Sequence, residues 1–332
     1  MRIHITYTGG TIGMVDSPHG LVPGADMRGW LYGLIDGTQI AADQVSFTQL
    51  DPLIDSSCAT PENWQAIVDD LRSHRDEADA FIVLHGTDTM SYSSAAVSYA
   101  LTYFGKPVVF TGSQYPLGMV ETDATANVTG ALNAVISGRA QGVSLFFGHH
   151  LIAGNRVSKV SSWAFEGFAA PSAGLLAQTG APWHWEPYAA DGRGWADPKP
   201  YTRHDVAVVD MAPGITAARL EAMFTPRPEA VLVRAYGVGN VPADEPGLTD
   251  VFARLLGEGI PVVVASQCQQ ARVLLGHYEA GDAIARAGAI GTGDMTLEAA
   301  YAKIVFLLSQ GLRGRELAAW IPRPIAGEIT AA

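Results

Sequence analysis

Two short threonine-containing motifs hold the residue types that hydroxyl chemistry needs. Thr8–Gly13 (TGGTIG) follows the first apolar run of the chain, and His85–Met90 (HGTDTM) follows another. Each motif places a candidate nucleophile where a buried strand is predicted to stop and a glycine-containing turn begins. Open α/β sheets bind their ligands at the carboxyl ends of the strands. We therefore expect Thr11 and Thr87 to line a shared cleft.

The glycines of the first motif admit other interpretations. A dinucleotide-binding fingerprint needs the spacing G-x-G-x-x-G, which Gly9, Gly10 and Gly13 do not have. A phosphate-binding P-loop is excluded because no Gly-Lys-Ser/Thr follows. A purely structural glycine turn, capped by its threonine, stays open for this motif taken alone.

Asp88 and Lys159 supply charged groups that would activate a hydroxyl. Asp88 directly follows Thr87 near the predicted start of a helix, where a Thr-Asp pair is most often a helix cap. Lys159 ends the segment Gly154–Lys159 (GNRVSK) in a predicted loop, where a lysine is by default a solvated surface charge. If they lie together and away from water, these three side chains would form a hydroxyl-activating relay of the triad kind.

A fourth element, Asp55-Ser56-Ser57, comes shortly before a predicted helix. Its small hydroxyl side chains and backbone amides suit the binding of a carboxylate near a helix N-terminus. A plain turn before a helix is an equally good interpretation of these three residues by themselves.

The elements that must position these residues alternate between short apolar runs and helical patterns. The predicted strands are Ile3–Thr8, Ala80–Leu84, Pro107–Thr111, Gly142–Phe147, Val206–Asp210, Ala230–Ala235 and Pro261–Ser266. The predicted helices are Pro61–Ser73, Ser91–Phe104, Asp123–Gly138, Ile215–Phe224, Thr249–Gly257, Thr296–Ser309 and Arg313–Trp320. This alternation predicts an α/β fold with a mainly parallel sheet.

The length of the chain and one break in the pattern predict two domains. A chain of 332 residues is long for a single core. The segment Asp191–Pro200 (DGRGWADPKP) is rich in glycine, proline and charge. We therefore predict an N-terminal catalytic domain over residues 1–190, a linker over 191–205 and a C-terminal domain over 206–332.

Composition excludes several classes of partner. A net charge of −12 disfavours nucleic acid, because a protein that follows phosphates needs a basic face. No apolar run reaches the ~18–20 residues that span a bilayer, so no membrane partner is expected. The two cysteines, Cys58 and Cys268, lie far apart and lack metal-ligand spacing. The first residues run straight into a predicted strand rather than a cleavable leader, and we expect a cytoplasmic protein.

Taken together, these motifs resemble bacterial L-asparaginases, and more closely the type I, cytoplasmic branch of the asparaginase/glutaminase family. The similar segments follow the same order over nearly the whole chain and are Tyr7–Met14, Asp55–Ser57, Thr60–Glu62, Leu84–Met90, Thr111–Leu117, Gly154–Arg156 with Lys159, Tyr236–Asn240, Gln267–Cys268 and Asp294–Thr296. The resemblance implies an asparaginase-like fold: a larger N-terminal domain with a mainly parallel sheet, and a smaller α/β C-terminal domain. It also implies a homodimer or homotetramer.

The resemblance implies a reaction and residues for it. L-asparagine and water would give L-aspartate and ammonia, with L-glutamine as a weaker substrate and with no metal or organic cofactor. Thr11 would be the nucleophile, and Thr87, Asp88 and Lys159 would form the relay. Asp55, Ser56 and Ser57 would hold the α-carboxylate of the substrate, and Asp88 would also meet its α-ammonium group. The sequence does not choose between a covalent ester on Thr11 and direct attack by water.

The type I branch further implies a second, regulatory asparagine site. Arg234, Asn240 and Cys268 match its pattern, and Ser158 stands where a threonine is expected. A buried, structural role at the end of a strand remains the alternative for Cys268.

This chain departs from the family pattern near Thr11. Leu21 stands where relatives usually carry a tyrosine whose phenol contacts the first threonine, and leucine has no hydroxyl. Either His19 or Tyr32 supplies a substitute contact, or Thr11 is poorly activated. Cys58-Ala59 also replaces the usual Asp-Met beside the serine pair. An asparagine- or aspartate-binding protein without efficient hydrolysis is therefore the alternative function.

Overall fold

The computed structural model describes residues 1–18, 20–187, 192–276 and 284–330. The chain divides into two compact units, Met1–Ala190 and Asp191–Ala332. Each unit contains its own sheet and its own hydrophobic core. The mixed α/β architecture with a larger, mainly parallel N-terminal sheet confirms the predicted fold class.

The first unit is built on one large sheet and two small strand pairs. Its strands are β1 (Ile3–Tyr7), β2 (Met14–Ser17), β3 (Gly20–Pro23), β4 (Val45–Gln49), β5 (Ala80–Leu84), β6 (Val108–Thr111), β7 (Val143–Phe147), β8 (His150–Ala153), β9 (Ser158–Lys159), β10 (Phe168–Ala169), β11 (Ala177–Gln178) and β12 (His184–Trp185). Within the described residues the large sheet has the order β12-β11-β8-β7-β6-β5-β1-β4, while β2 pairs with β3 and β9 pairs with β10. From β4 to β7 the neighbouring strands are parallel, whereas β8, β11 and β12 add an antiparallel edge.

Strand β1 lies between β4 and β5, and this position decides where a ligand can bind. The register pairs Tyr7 with Gln49 on one side and with Leu84 on the other. The chain leaves β1 toward β4 and then crosses back to β5, so the strand order reverses around β1. The carboxyl ends of strands at such a reversal form the crevice of open α/β sheets. Both threonine motifs begin there.

Helices in the first unit flank this sheet. They are α1 (Met27–Ile35), α2 (Pro61–Ser73), α3 (Met90–Ala100) and α4 (Ala124–Ile136). Helix α2 begins as its sequence predicts: Pro61 takes the first helical position, and the Asn63 side chain accepts a hydrogen bond from the backbone amide of Thr60. No helix of the described residues is long and apolar enough to cross a membrane.

The second unit repeats the parallel α/β pattern on a smaller scale. Its strands are β13 (Val206–Asp210), β14 (Ala230–Ala235), β15 (Val262–Ser266) and β16 (Ile290–Gly291), in that order across a parallel sheet. Its described helices include α5 (Ala217–Met223), α6 (Leu248–Gly257), α7 (Leu297–Ser309) and α8 (Gly314–Trp320).

The segment predicted as a linker, 191–205, begins at a residue outside the described part of the chain. From Gly192 onward it contacts the second unit. The backbone amides of Arg193 and Gly194 donate to the carbonyls of Pro324 and Ile325. The Trp195 ring packs against the rings of two further residues of this unit, Phe306 and Trp320.

A buried ion pair fixes the end of the second unit. Lys303 and Glu328 are both 0% exposed, and Lys303 Nζ lies 2.6 Å from Glu328 Oε1. Lys303 also donates to the carbonyls of Ile321 and Arg323, while Glu328 accepts from the amides of Ile325 and Ala326. Burial lowers the pKa of Lys303, although Glu328 opposes this shift. Every strong donor and acceptor of the pair therefore has a partner.

Replacing Lys303 with methionine is expected to lower the free energy of unfolding by about 3–5 kcal/mol. The variant leaves the Glu328 carboxylate buried without its cation, which costs more than the loss of one hydrogen bond. Urea unfolding would measure the change. The double variant Lys303→Met/Glu328→Gln is expected to recover part of the loss, because the amide is neutral. A loss below about 1 kcal/mol in the single variant would contradict this account.

Candidate active site

The ends of β1 and β5 are held together at the start of both threonine motifs. The backbone amide and the hydroxyl of Thr8 both donate to the Leu84 carbonyl, at 2.9 and 3.1 Å. The Thr8 carbonyl in turn accepts from the amide of Ile54, which lies just before Asp55. Three loops, one from each motif and one carrying Asp55, therefore start from one point of the sheet.

Glycine at two positions lets these loops approach closely. Gly10 has a φ of +92°, and a Cβ there would collide with the backbone of Gly86. A Cβ at Gly86 would collide with the side chain of Ser56. The loops that carry Thr11, Ser56 and Thr87 are thus in direct contact through residues that have no side chain.

Thr87, Asp88 and Lys159 meet at this place. Lys159 Nζ donates to Thr87 Oγ1 at 2.9 Å and to Asp88 Oδ1 at 2.8 Å. The Thr87 residue is 5% exposed, whereas the side chains of Lys159 and Asp88 are 19% and 59% exposed. The ammonium group thus lies against a buried hydroxyl oxygen and is paired with a carboxylate that is open to solvent. An oxygen held this way is stabilised when it gains negative charge.

Lys159 comes from a strand rather than from the predicted loop. It belongs to β9 and pairs with Phe168 of β10 in antiparallel register. The amide of the Gln114 side chain donates to the carbonyls of Ser161 and Ala164 between these strands. A short hairpin, tied to the loop after β6, therefore orients the lysine. Such pairing of two-residue strands leaves no alternating pattern in the sequence.

The Asp55-Ser56-Ser57 segment lies beside this relay. The Asp55 carboxylate accepts from the backbone amide and the hydroxyl of Ser57, both at 2.9 Å, and so closes its own turn. Ser56 is buried and Ser57 is exposed. From the other motif, the Thr89 hydroxyl donates to the Ser56 carbonyl at 2.7 Å. Sequence reasoning missed Thr89.

Thr11 begins a short 3-10 turn, Thr11–Gly13, and is partly exposed. The Gly13 carbonyl accepts from the amides of Gly24 and Ala25, so the β2–β3 hairpin folds back on this turn. Two residues are candidates to supply the contact that the missing tyrosine would make. His19 lies outside the described residues, and the Tyr32 hydroxyl donates to the Val45 carbonyl at 3.0 Å, a backbone group of β4.

His85, the first residue of the second motif, is buried. Its residue is 1% exposed, and its Nδ1 lies 2.7 Å from the Gly86 carbonyl, to which it donates. Its Nε2 is buried and has no hydrogen-bond partner among the described residues. Burial lowers the pKa of His85 from 6.5 to about 4, although the bond to Gly86 opposes the shift. The imidazole is therefore neutral at neutral pH.

The free energy of unfolding is expected to fall when the pH is lowered from 6.5 to about 4, because His85 has a lower pKa in the folded protein than in the unfolded chain. The unfolded chain takes up this proton near pH 6.5, while the folded chain does so only near pH 4. Between these values the unfolded state binds more protons, so the stability contribution is full above pH 6.5 and is lost toward pH 4. The difference amounts to about 3 kcal/mol.

The neutral variant His85→Asn keeps a donor near the Gly86 carbonyl and does not titrate. Urea unfolding of both proteins at pH 7, 5 and 4 would isolate the effect. We expect the free energy of unfolding of the wild type to fall by about 3 kcal/mol more than that of the variant over this range. Identical pH dependence in the two proteins would exclude the buried neutral histidine.

Of the four residues expected at a regulatory site, three lie in the second unit and one, Ser158, lies in the first. Arg234 lies near the end of β14 and donates to Asp210 at 3.0 Å, while Asn240 forms a β-bridge with Tyr236. Cys268 follows β15 and is exposed, which removes the buried alternative. Ser158 is the neighbour of Lys159 in the first unit. Arg234 Nε and Tyr236 Oη are buried without a partner in the described part of the chain. Tyr236 belongs to one of the family-like segments but was not among the predicted site residues.

One cluster of described residues has the composition of a metal site. His4, Asp70 and His74 bring their ligand atoms within 4.8 Å of one another. However, the two imidazole rings are stacked at 3.8 Å with an interplanar angle of 13°, so their lone pairs do not converge on one point. His4 also bonds through both nitrogens, to Ser46 and to Asp70. We assign the cluster a structural role that joins β1 to α2.

The fold and the site are those of an α/β enzyme. At the carboxyl edge of its larger parallel sheet, a lysine side chain donates a hydrogen bond to a threonine hydroxyl. Comparison with known families makes the assignment specific. The family model "Asparaginase, N-terminal" matches residues 2–189, and "Glutaminase/Asparaginase C-terminal domain" matches residues 205–321. The chain belongs to the asparaginase family, as its motifs predict.

Individual relatives match nearly the whole of this chain. The chain is 36% identical to L-asparaginase 1 of Escherichia coli K12 over 333 residues, covering 99% of this chain and 98% of that protein. The crystal structure of L-asparaginase I from Vibrio cholerae has a TM-score of 0.88 and 35% identity, with 99% of each chain covered. The human 60 kDa lysophospholipase is 31% identical over 354 residues, which cover 99% of this chain and 61% of that protein.

Proposed function

We propose that this chain is an amidohydrolase that converts L-asparagine and water to L-aspartate and ammonia. The observation that carries the proposal is the contact of Lys159 Nζ with both Thr87 Oγ1 and Asp88 Oδ1 at the carboxyl edge of the sheet. This arrangement supplies a polarised hydroxyl, a proton-transfer group and a carboxylate in contact with one another. Hydrolysis of an amide needs the first two, and recognition of an amino acid uses the third.

In the mechanism we favour, Thr11 Oγ1 attacks the side-chain amide carbon. The C–N bond breaks, the nitrogen takes the proton given up by Thr11, and ammonia leaves. Water then attacks the resulting β-aspartyl ester, returns a proton to the Thr11 oxygen and releases aspartate. Thr87, hydrogen-bonded to Lys159, relays the protons between the attacking and leaving groups and stabilises the developing negative charge. Direct attack by water at the amide carbon is the rival sequence of events.

The substrate backbone is assigned to the segment next to the relay. Ser56 and Ser57 would receive the α-carboxylate, and Asp55 keeps their turn closed through its bonds to Ser57. Asp88, whose side chain is more than half exposed, would meet the α-ammonium group. Such contacts would suit an α-amino acid, and we propose L-asparagine as the substrate, with L-glutamine as the weaker one. No metal or organic cofactor takes part in the proposed reaction.

The alternative function is binding of asparagine or aspartate without efficient hydrolysis. The absence of a tyrosine at Leu21 favours it, because Thr11 would then lack a neighbour that activates it. The relatives also carry names with different substrates, since one of them is called a lysophospholipase. Ammonia release by the purified chain distinguishes the two functions.

The test is ammonia release by the purified chain from L-asparagine, D-asparagine and L-glutamine, each over a wide concentration range. The proposal predicts turnover that is fastest with L-asparagine. Binding of L-asparagine by calorimetry without any ammonia would instead support the binding-protein alternative. A sigmoidal rate curve would support a regulatory site at Ser158, Arg234, Asn240 and Cys268, and a hyperbolic curve would count against it.

Assembly and location remain part of the proposal. We propose a homodimer or homotetramer, which sedimentation analysis of the purified chain would test. We also propose a cytoplasmic location. Both cysteines are free thiols and both are exposed, which suits a reducing compartment.

A further inference from the structure

Thr89 occupies the N-cap position of helix α3 but does not cap it. A threonine there normally accepts a hydrogen bond from a backbone amide of the first helical turn. No such bond is present, although the backbone is non-helical as in an N-cap. The hydroxyl instead donates to the carbonyl of Ser56, which lies 33 residues earlier in the sequence, at 2.7 Å.

This bond joins the two halves of the proposed site. On one side is the segment Asp55–Ser57, to which the α-carboxylate is assigned. On the other side is the turn Gly86–Thr89, which carries the relay residues Thr87 and Asp88. Besides the hydrogen bond, the Ser56 side chain packs against Gly86 so closely that no Cβ fits between them. One polar and one steric contact therefore fix the separation of the two segments.

In the proposed function, that separation sets the length of substrate that the site accepts. The α-carboxylate is bound at one segment and the amide carbon must reach the hydroxyls at the other. Asparagine and glutamine carry the same end groups and differ by one methylene between them. A site distinguishes such a pair only if the distance between its two binding points is held rigidly.

We propose that Thr89 is a specificity-determining positioning residue, whose bond to the Ser56 carbonyl holds the site at the length of asparagine and disfavours glutamine. The proposal rests on the proposed function, because it assumes that both amides are substrates of this cleft. Thr89 acts through Ser56 and touches no reacting atom. Loss of the bond is expected to let the carboxylate-binding segment move away from Thr87.

The variant Thr89→Val removes the hydroxyl and keeps the shape, while Thr89→Ser keeps the hydroxyl and serves as the matched control. For each, kcat/KM is measured with L-asparagine and with L-glutamine. In Thr89→Val the ratio of the asparagine value to the glutamine value is expected to fall about tenfold. It is expected to stay within about twofold of wild type in Thr89→Ser, because the hydroxyl is retained.

General destabilisation would lower both kcat/KM values together and leave their ratio unchanged. Circular dichroism and thermal unfolding identify a variant that fails to fold, and Thr89→Ala then replaces Thr89→Val. An unchanged ratio in a folded variant without the hydroxyl would overturn the role of Thr89 while leaving the proposed function intact. A wild type that hydrolyses neither amide would overturn both proposals.

Discussion

Replacing Thr11 with valine is expected to lower kcat for L-asparagine by about 10³-fold or more. Valine has nearly the same shape as threonine but lacks the oxygen that would form the ester. If the hydroxyl is the nucleophile, its removal leaves only the slower attack by water. KM is expected to change little, because the proposed contacts with the α-carboxylate and the α-ammonium group are assigned to Asp55–Ser57 and Asp88 rather than to Thr11. Steady-state ammonia release measures both constants.

Thr11→Ser is the matched control, because it keeps a hydroxyl on the same turn. It is expected to retain kcat within about tenfold, since the nucleophile remains but its rotamer is less restricted. Acid quenching of the wild type during turnover, followed by mass spectrometry, should recover the β-aspartyl ester on Thr11. Thr11→Val with near wild-type turnover and no trapped ester would favour direct attack by water.

Replacing Lys159 with methionine is expected to lower kcat by about 10²–10⁴-fold. The change removes the ammonium group that lies 2.9 Å from Thr87 Oγ1 and 2.8 Å from Asp88 Oδ1. The Thr87 oxygen would then lose the positive charge that stabilises it during proton transfer. The aliphatic part of the side chain is largely kept, so the β9–β10 hairpin should still fold. Thermal unfolding and ammonia release together measure the two effects.

Lys106→Met is the matched control for this experiment. Lys106 belongs to the same unit, but its ammonium group donates to the backbone carbonyl of Ala78. Its loss is expected to leave kcat unchanged within about twofold, since a partly exposed lysine of this kind contributes little beyond local stability. Equal losses of activity in the two variants would point to general destabilisation rather than to a relay.

Much of the framework of the fold could be predicted from the sequence. Strand β5 and helix α2 lie at their predicted bounds, and β1 ends one residue earlier, at Tyr7. These elements carry strong local signals: continuous apolar runs for the buried parallel strands, and a capped proline start for the helix. The choice of candidate residues at strand ends follows from the same signals.

The elements that were missed have weak local signals. Helix α1 (Met27–Ile35) contains Gly29 and Gly33, and glycine disfavours the interior of a helix. Strand β4 (Val45–Gln49) is a partly exposed edge strand of five residues. The antiparallel additions β11 and β12 have two residues each and are defined by their partners alone.

The arrangement of the site depends on contacts that no sequence pattern reports. The loops that carry Thr11 and Thr87 meet because β1 lies beside β5. The order of strands in a sheet depends on tertiary contacts, so the sequence pattern does not give it. Lys159 reaches Thr87 because a hairpin turns it toward β5. The bond from the Thr89 hydroxyl to the Ser56 carbonyl joins residues 33 positions apart, and no local pattern reports it. The candidate site residues could thus be predicted from the sequence, but the distances between their side chains could not.

The most direct test of the central claim is one reaction in which aspartate and ammonia are both quantified. Purified wild type and Thr87→Val are incubated with L-asparagine, and binding of L-aspartate to each is measured by calorimetry. The account predicts equal molar amounts of the two products from the wild type. For Thr87→Val it predicts product formation at least about 10²-fold slower, with ligand binding retained. A wild type that binds the ligand but forms neither product, or a Thr87→Val variant of undiminished activity, would contradict it.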